Sequence, residues 1–126
     1  MAESKVSLIY TEEKGRCWIA NEDISQEDIL LVSKPYAIIP SIKKKNNVCA
    51  NCMYISNKMI PCRQGCLHAF YCSNECEQQQ WNKFHQYECS FLEKICMTLK
   101  NDDYNDYVIN YARLVMRMLT QRLNDI

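Results

Sequence analysis

The spacing of hydrophobic residues changes between the two halves of the chain. Near the start, Val6, Leu8 and Tyr10 alternate with Ser7, Ile9 and Thr11, and a period of two is typical of a β-strand. A turn is predicted around Gly15, because glycine tolerates positive φ. Short apolar runs then follow at 17–20, 29–32 and 36–39. The run at 29–32 is apolar throughout, which predicts a strand buried on both faces, and the run at 36–39 predicts a last short strand.

The second half of the chain has helical spacing. Residues 74–84 contain no glycine or proline, and Ser73 before them is a good N-cap. Apolar residues recur every three or four positions over 91–99 and over 107–123, which predicts two further helices separated by a break at 101–103. The last helix is expected to pack through a stripe of Val108, Tyr111, Ala112, Val115, Met118, Leu119 and Arg122, with Arg113, Arg117 and Gln121 off it.

Between these halves lies a stretch rich in metal-ligating residues. Zinc binds four nitrogen or sulfur ligands in a tetrahedron, and one turn of backbone can supply two of them. Eight ligands are enough for two closed sites, and closed sites are structural because catalytic zinc keeps one position open. The ligand candidates form four close pairs: Cys49 with Cys52, Cys62 with Cys66, Cys72 with Cys76, and His85 with Cys89.

The spacing leaves the combination of these pairs open. In a sequential arrangement the first two pairs bind one ion, whereas in an interleaved arrangement the first pair joins the third and the second joins the fourth. His85 and Cys89 are four residues apart, so on a helix they share a face. His68 is a competing imidazole, but we favour a hydrogen-bonded structural role for it. Cys17 and Cys96 have apolar neighbours and are expected to be small core residues.

Length and charge restrict the classes of function. The chain has 126 residues, no net charge and nine cysteines, which predicts one domain or slightly more and gives no electrostatic footprint for nucleic acid or membrane. The first residues lack the apolar core of a signal peptide, so we expect a cytoplasmic or nuclear chain with reduced thiols rather than disulfides. The lysines at 43–45 are interpreted as a solvated linker, in preference to a localisation or phosphate-contacting patch.

The ligand pattern, together with Tyr71-Cys72-Ser73 and Trp81-x3-His85, resembles the MYND zinc finger. The resemblance implies interleaved sites, with Cys49, Cys52, Cys72 and Cys76 on one zinc ion and Cys62, Cys66, His85 and Cys89 on the other. It also implies a protein or peptide partner, since MYND modules mostly bind proteins and often proline-rich peptides. Trp81 and Tyr87 are candidates for a peptide-binding surface, although packing against the zinc sites is favoured for Trp81.

The flanking segments look like the opening of a SET domain, and a SET start interrupted by a MYND finger is the layout of the SET-and-MYND protein-lysine methyltransferases. The segment 111–119 is similar to the helix that follows MYND in that family. The flanking residues are Lys14-Gly15-Arg16-Cys17-Trp18-Ile19-Ala20, Asp23-Ile24, Ile29-Leu30-Leu31 and Lys34-Pro35-Tyr36-Ala37.

This second resemblance implies transfer of a methyl group from S-adenosylmethionine to a lysine amine of a histone or another protein. Lys14 and Arg16 would lie near the cofactor. Cys17 stands where the family usually has glycine, and the Asn-His motif and catalytic tyrosine region of the SET domain have no counterpart, so no catalytic residue is assigned. We expect this chain alone to be inactive and to use S-adenosylmethionine only when the SET domain is complete.

These observations predict a small, zinc-stabilised α+β fold. It would comprise the N-terminal part of a SET domain (1–48), an inserted MYND finger with two interleaved zinc sites (49–89) and a helical segment (90–126). Two functions compete: part of a methyltransferase, or a stand-alone MYND adaptor that binds short peptide motifs. Nucleic-acid binding is the weakest alternative, given the neutral charge. Unpaired strand edges in the first segment predict poor solubility or oligomerisation.

Overall fold

A β-hairpin begins the first of two compact units in the computed structural model, which describes residues 4–99 and 103–126. Strands β1 (Val6–Thr11) and β2 (Gly15–Ala20) pair antiparallel, with Thr11 opposite Gly15. Gly15 has a φ of 68°, a conformation that costs glycine little because it lacks Cβ. The predicted first strands and their glycine turn are therefore present. The first unit extends to Lys34 and the second begins at Pro35.

The two later strands predicted before the cysteine-rich stretch are wrong. Segments 29–32 and 36–39 are not strands, and the predicted double-sided burial fails because Ile29 and Val32 are 79% and 84% exposed. An apolar run becomes a buried strand only beside partner strands. Among the described residues, ladder pairing occurs between β1 and β2 and inside the cysteine-rich stretch, apart from one isolated bridge. A SET-type sheet therefore stays a prediction, as does the division at residues 48 and 89.

The cysteine-rich stretch contains a two-stranded ribbon. Strands β3 (Ile60–Pro61) and β4 (Phe70–Tyr71) pair antiparallel, with Ile60 opposite Tyr71. The buried cluster around them contains thiols, two alanines and one tyrosine in place of large aliphatic side chains. Such a core contributes little hydrophobic stabilisation by itself, so this stretch needs cross-links of another kind. The cluster consists of Cys49, Ala50, Cys62, Cys66, Ala69, Tyr71 and Cys89.

A single helical run follows the ribbon. It comprises α1 (Asn74–Gln80), a π-helical turn (Trp81–His85) and α2 (Gln86–Thr98). The Ser73 hydroxyl accepts the backbone N–H of Cys76 at 3.2 Å, which confirms the predicted N-cap. The helix predicted from residue 91 begins earlier than expected, because no glycine or proline interrupts the chain after α1.

The C-terminal helix α3 (Asp103–Asn124) confirms the predicted last helix, although the face expected to pack is wrong. Tyr111 and Leu119 of the predicted stripe are 62% and 60% exposed. The buried positions are Ile109, Arg113, Arg117 and Thr120. Residues 101 and 102 of the predicted break lie outside the described part of the chain. Among the described helices, none combines the length and apolar character that crossing a membrane requires.

Buried arginines explain the rotated face of α3. Arg113 donates from Nη1 to the carbonyl oxygen of Pro40 at 2.9 Å. Arg117 donates from Nη1 to the carbonyl oxygen of Ile38 at 2.9 Å. The guanidinium groups thus satisfy backbone carbonyls of the segment before the cysteine-rich stretch, while their aliphatic stems fill space that a periodic pattern assigns to apolar residues. The face of α3 that packs is therefore determined by hydrogen-bond partners that lie far away in the sequence.

Candidate metal centre

Eight side chains of the cysteine-rich stretch converge in two groups of four. The outer group consists of Cys49, Cys52, Cys72 and Cys76, and the inner group consists of Cys62, Cys66, His85 and Cys89. Within each group, the candidate ligand atoms all lie within 4.8 Å of one another. The first pair along the chain therefore meets the third, and the second meets the fourth. Of the two arrangements that the spacing left open, the structure has the interleaved one.

The outer group lies where a tight loop approaches the start of α1. The carbonyl oxygen of Cys49 accepts the N–H of Met53 at 3.0 Å, and Met53 has a φ of 63°. This turn brings Cys52 back towards the other thiols, and the Sγ atoms of Cys52 and Cys72 are 3.6 Å apart. Cys76 lies in the first turn of α1, with its Sγ also 3.6 Å from that of Cys72. Loop, ribbon and helix each contribute to the group.

The inner group lies beneath the helical run. His85 comes from the π-helical turn, and its Nε2 lies 3.1 Å from Cys62 Sγ and 3.4 Å from Cys66 Sγ. Cys89 follows on α2, with its Sγ 4.0 Å from that of Cys62. Gly65 lets the backbone turn between Cys62 and Cys66, with a φ of 66° and its N–H donating to the carbonyl oxygen of Cys62 at 2.9 Å.

The protonation behaviour of these groups suits a divalent cation. Burial lowers the pKa of His85 to about 4, which keeps the imidazole in the neutral form that ligates metals. Burial and the neighbouring thiols raise the pKa of Cys72 to about 12, and burial raises the pKa of Cys62. Cys49 differs, because backbone N–H donors outweigh its burial and lower its pKa to about 7.

Thiols this close together cannot all ionise unless a cation offsets their mutual repulsion. Thiolate and neutral imidazole are the ligands that zinc takes in structural sites. Each group offers four such ligands, which leaves no coordination position of a tetrahedral zinc ion open. The two groups therefore fit two zinc ions.

Aromatic rings enclose the inner group. Tyr71 and Trp81 meet the His85 ring edge-on, with ring centroids 6.4 and 5.9 Å away. Trp81 is half-buried and packs against the thiol cluster, which confirms the packing role favoured from sequence. Arg63 lies over the indole, 5.2 Å from its centroid, and pairs with Glu77 at 2.7 and 2.6 Å. Sequence reasoning missed this Arg63 contact.

An ion pair beside the inner group was also missed. Arg117 of α3 donates from Nε and Nη2 to the two carboxylate oxygens of Glu88, at 2.7 and 2.8 Å. Both side chains are buried, and Arg117 also lies 4.6 Å from the centre of the Phe84 ring. Glu88 immediately precedes the candidate ligand Cys89, which is the one local hint of its importance. No periodic pattern links residues that are 29 positions apart.

Other residues singled out from sequence lie outside both groups. His68 is outside the inner group, and its Nδ1 lies 3.3 Å from the Lys45 ammonium. Lys14 and Arg16 are exposed at the turn of the hairpin in the first unit. Tyr87 is exposed. Two further residues, Cys17 and Cys96, are half-buried rather than part of the core.

Comparison with known proteins supports this reading of the site. The MYND finger family profile matches residues 49–89. A SET and MYND domain-containing protein of Dictyostelium discoideum is 30% identical over 95% of this chain and 30% of its own length. A second such protein of that organism is 33% identical over 71% of this chain and 24% of its own.

Human protein-lysine N-methyltransferase SMYD4 is 30% identical over 70% of this chain and 13% of its own length. The chain thus spans about a third or less of the curated relatives that it matches. Residues 49–89 are therefore a MYND finger, in a chain related over most of its length to the SET and MYND domain-containing proteins.

Proposed function

We propose that this chain is the zinc-binding N-terminal part of a SET-and-MYND protein-lysine methyltransferase, and that its finger is held by two zinc ions. The observation that carries the metal assignment is the pair of four-ligand groups, each with all ligand atoms within 4.8 Å. The methyltransferase context is supported by similarity to proteins that carry that name. The reduced thiols that zinc requires fit a cytoplasmic or nuclear location.

The chain's own residues explain what such sites would do. Each group joins the ribbon to another element: the outer group ties it to the loop at 49–55 and to α1, and the inner group ties it to the π-helical turn and α2. Bound zinc would supply cross-links with no open coordination position, so its role is structural. Because the groups interleave, opening one leaves the ribbon still attached through the other. Bound zinc would thereby stabilise the fold of the finger, although the finger buries few aliphatic residues.

X-ray absorption at the zinc edge tests the metal assignment. We expect seven sulfur ligands and one nitrogen shared between two ions, at about 2.3 Å for sulfur and about 2.0–2.1 Å for nitrogen. Replacing His85 by Cys should remove the nitrogen contribution, whereas His68→Cys, outside both groups, should leave it. Oxygen ligands in the native chain, or a nitrogen signal that depends on His68, would contradict the proposed ligand set.

The proposed role of S-adenosylmethionine rests on the resemblance of the flanking segments to the SET-and-MYND methyltransferases. The matched segment is at most 30% of the first relative's length, so we propose that methyl transfer requires residues outside the matched segment. Lys14 and Arg16 would then contact the cofactor within a complete SET domain. Titration calorimetry with S-adenosylmethionine tests this: we expect no saturable micromolar binding by these 126 residues. Such binding, weakened by Arg16→Gln but not by Lys58→Gln, would show that the cofactor site is already complete.

A second candidate function is binding of a short peptide by the second unit. A cleft of about 480 Å³ lies between the segment at 35–38, the finger and the end of α3, a size typical of ligand sites. Gln80 lines it, is buried, and has no partner for its Nε2 among the described residues. A buried donor without an acceptor is costly, and a peptide carbonyl would supply the acceptor. Phe84 and Tyr36 add aromatic surface.

Selection of random-peptide phage on the zinc-loaded chain tests this second function. We expect enriched peptides whose affinity falls about tenfold with Gln80→Leu, because one hydrogen bond of about 1.4 kcal/mol is lost. The matched control is Gln86→Leu on the exposed surface of α2. Equal peptide affinity of the native, Gln80→Leu and Gln86→Leu proteins would show that the peptide binds outside this cleft.

A further inference from the structure

The two groups of the finger differ in their access to solvent. In the outer group Cys52 is exposed, while Cys72 and Cys76 are half-buried and Cys49 alone is fully buried. In the inner group all four residues are buried, with Cys62 at 3% and His85 at 1% exposure. A competing ligand can therefore reach a sulfur of the outer group without any movement of the fold. It cannot reach the inner group in the same way.

The two groups also differ in what holds them. Two inner ligands lie on the continuous helical run, where Glu88 precedes Cys89 and is fixed by the buried guanidinium of Arg117. The rings of Tyr71 and Trp81 cover the imidazole.

The loop that carries Cys52 is held differently. Its turn depends on a few backbone hydrogen bonds, among them Cys49 N–H to the Tyr54 carbonyl oxygen at 2.9 Å. Tyr54 and Ile55 of the same loop are exposed. Segments with few buried contacts and exposed backbone hydrogen bonds open locally at low free energy, without global unfolding.

We infer that the outer group is an exchangeable metal site that opens through the Cys52 thiolate, whereas the inner group is a permanent structural site. The inference rests on the proposed zinc binding. Two kinds of reagent would act at Cys52: a chelator, which takes the ion by ligand exchange, and a soft alkylating electrophile. With iodoacetamide, the thiolate sulfur forms a bond to carbon as iodide leaves, and the thioether that results is a poor zinc ligand.

The consequence for the fold is that loss of one ion is local. Opening the outer group frees the exposed part of the loop at 52–55, while Cys49 stays in the buried cluster. The ribbon stays attached to α2 through Cys62, Cys66, His85 and Cys89. The Arg117–Glu88 pair keeps α3 against that part of the finger. The helical run and α3 should therefore persist in a chain that holds one zinc ion.

The experiment follows zinc release from the chain of 126 residues with Cys17→Ser and Cys96→Ser, which leaves the seven cysteines of the two groups. A chromogenic competitor, 4-(2-pyridylazo)resorcinol, reports release, and iodoacetamide followed by peptide mass spectrometry reports which thiols become free. We expect one zinc ion to leave about tenfold or more faster than the other, since small barrier differences give large rate ratios. Label should appear first on Cys52 and the rest of the outer group.

Variants then separate the groups. Arg117→Gln should accelerate the slow phase and leave the fast one unchanged. Cys52→His, which replaces one sulfur ligand of the outer group by a nitrogen ligand, should change the fast phase alone. Simultaneous loss of both ions, or early label on Cys62, Cys66 or Cys89, would overturn the inference while leaving the proposed zinc binding intact. A folded chain that contains no zinc would overturn both.

Discussion

Arg117 and Glu88 form a buried ion pair in which both carboxylate oxygens are engaged, at 2.7 and 2.8 Å. The pair joins α3 to the residue that precedes Cys89, a candidate ligand of the inner group. Arg117 also binds the carbonyl oxygen of Ile38, so one guanidinium connects three segments of the second unit. The finger and the helix that follows it are therefore parts of one packed structure.

Removing the cation of this pair should strongly destabilise the second unit. Arg117→Met leaves the Glu88 carboxylate buried without its partner, which typically costs about 3–5 kcal/mol. Arg122→Met, on the exposed side of the same helix, is the matched control and should cost less than about 0.5 kcal/mol. Urea unfolding of the zinc-loaded proteins, followed by circular dichroism, measures both.

The double variant Glu88→Leu, Arg117→Met sharpens this prediction. Replacing both charges with apolar side chains removes the unpaired carboxylate, so most of the lost stability should return. Equal stability of Arg117→Met and Arg122→Met would show that the ion pair contributes nothing to holding α3.

The N-cap of α1 gives a second prediction. Ser73→Ala removes the hydroxyl that accepts the Cys76 N–H, at a cost of about 1 kcal/mol in the free energy of unfolding. Ser73→Asp should restore most of that loss, because aspartate caps as well as serine. Ser90→Ala, at an exposed position inside α2, serves as control and should be close to neutral. A Ser73→Ala protein as stable as the Ser90→Ala protein would refute the capping role.

A pH-dependent contribution is expected in the first unit. Asp28 accepts from the Lys5 ammonium at 3.0 Å and from the Ser25 N–H at 2.8 Å, and these bonds lower its pKa below the usual 3.8. Its contribution to stability is therefore present above pH 3.8 and is lost as the pH falls through the lowered value. The same pair raises the pKa of Lys5 above 10.5, so its contribution disappears as the pH rises through the raised value.

Carbon-detected NMR titration of the Asp28 carboxyl tests the acid side. Lys5→Gln should move the pKa of Asp28 up towards 3.8, whereas Lys14→Gln, at the exposed hairpin turn, should not. If the pKa of Asp28 were the same with and without the Lys5→Gln substitution, the ion pair between Lys5 and Asp28 would be contradicted.

Arg63 should shield Trp81 from water. Its guanidinium carbon lies 5.2 Å from the indole centroid and is held there by Glu77. In a Trp18→Phe background, Arg63→Ala should shift the tryptophan emission to longer wavelength, because the indole loses the cation that lies over its face. Lys58→Ala, an exposed cation of the finger, is the control. An unchanged emission spectrum would place Arg63 away from the ring in solution.

The ligand set of the finger was predictable because the two members of each ligand pair lie close together in the sequence. Pairs such as Cys49 with Cys52 are recognised from their short spacing. The N-cap Ser73 is recognised because residues 74–84, which follow it, contain no glycine or proline. The resemblance to the MYND finger added the interleaved grouping, which spacing alone does not decide. The structure brings these same residues together.

The packing face of α3 and the fate of the apolar run at 29–32 were not predictable in this way. Arg117 is buried because its guanidinium binds the Glu88 carboxylate and the carbonyl oxygen of Ile38. Neither residue lies near Arg117 in the sequence. Ile29 needs neighbouring strands to be buried, and the described strands do not pair with it. Periodicity states which residues are apolar, whereas burial depends on partners that tertiary structure supplies.

Zinc content measured together with helicity tests the central claim most directly. Native mass spectrometry of the reduced chain should show two zinc ions, and prolonged treatment with a strong chelator should remove both and abolish the ellipticity of the finger, because metal binding supplies its folding free energy. Re-addition of zinc should restore the signal. A chain that is free of metal and keeps the same far-ultraviolet spectrum would contradict the account.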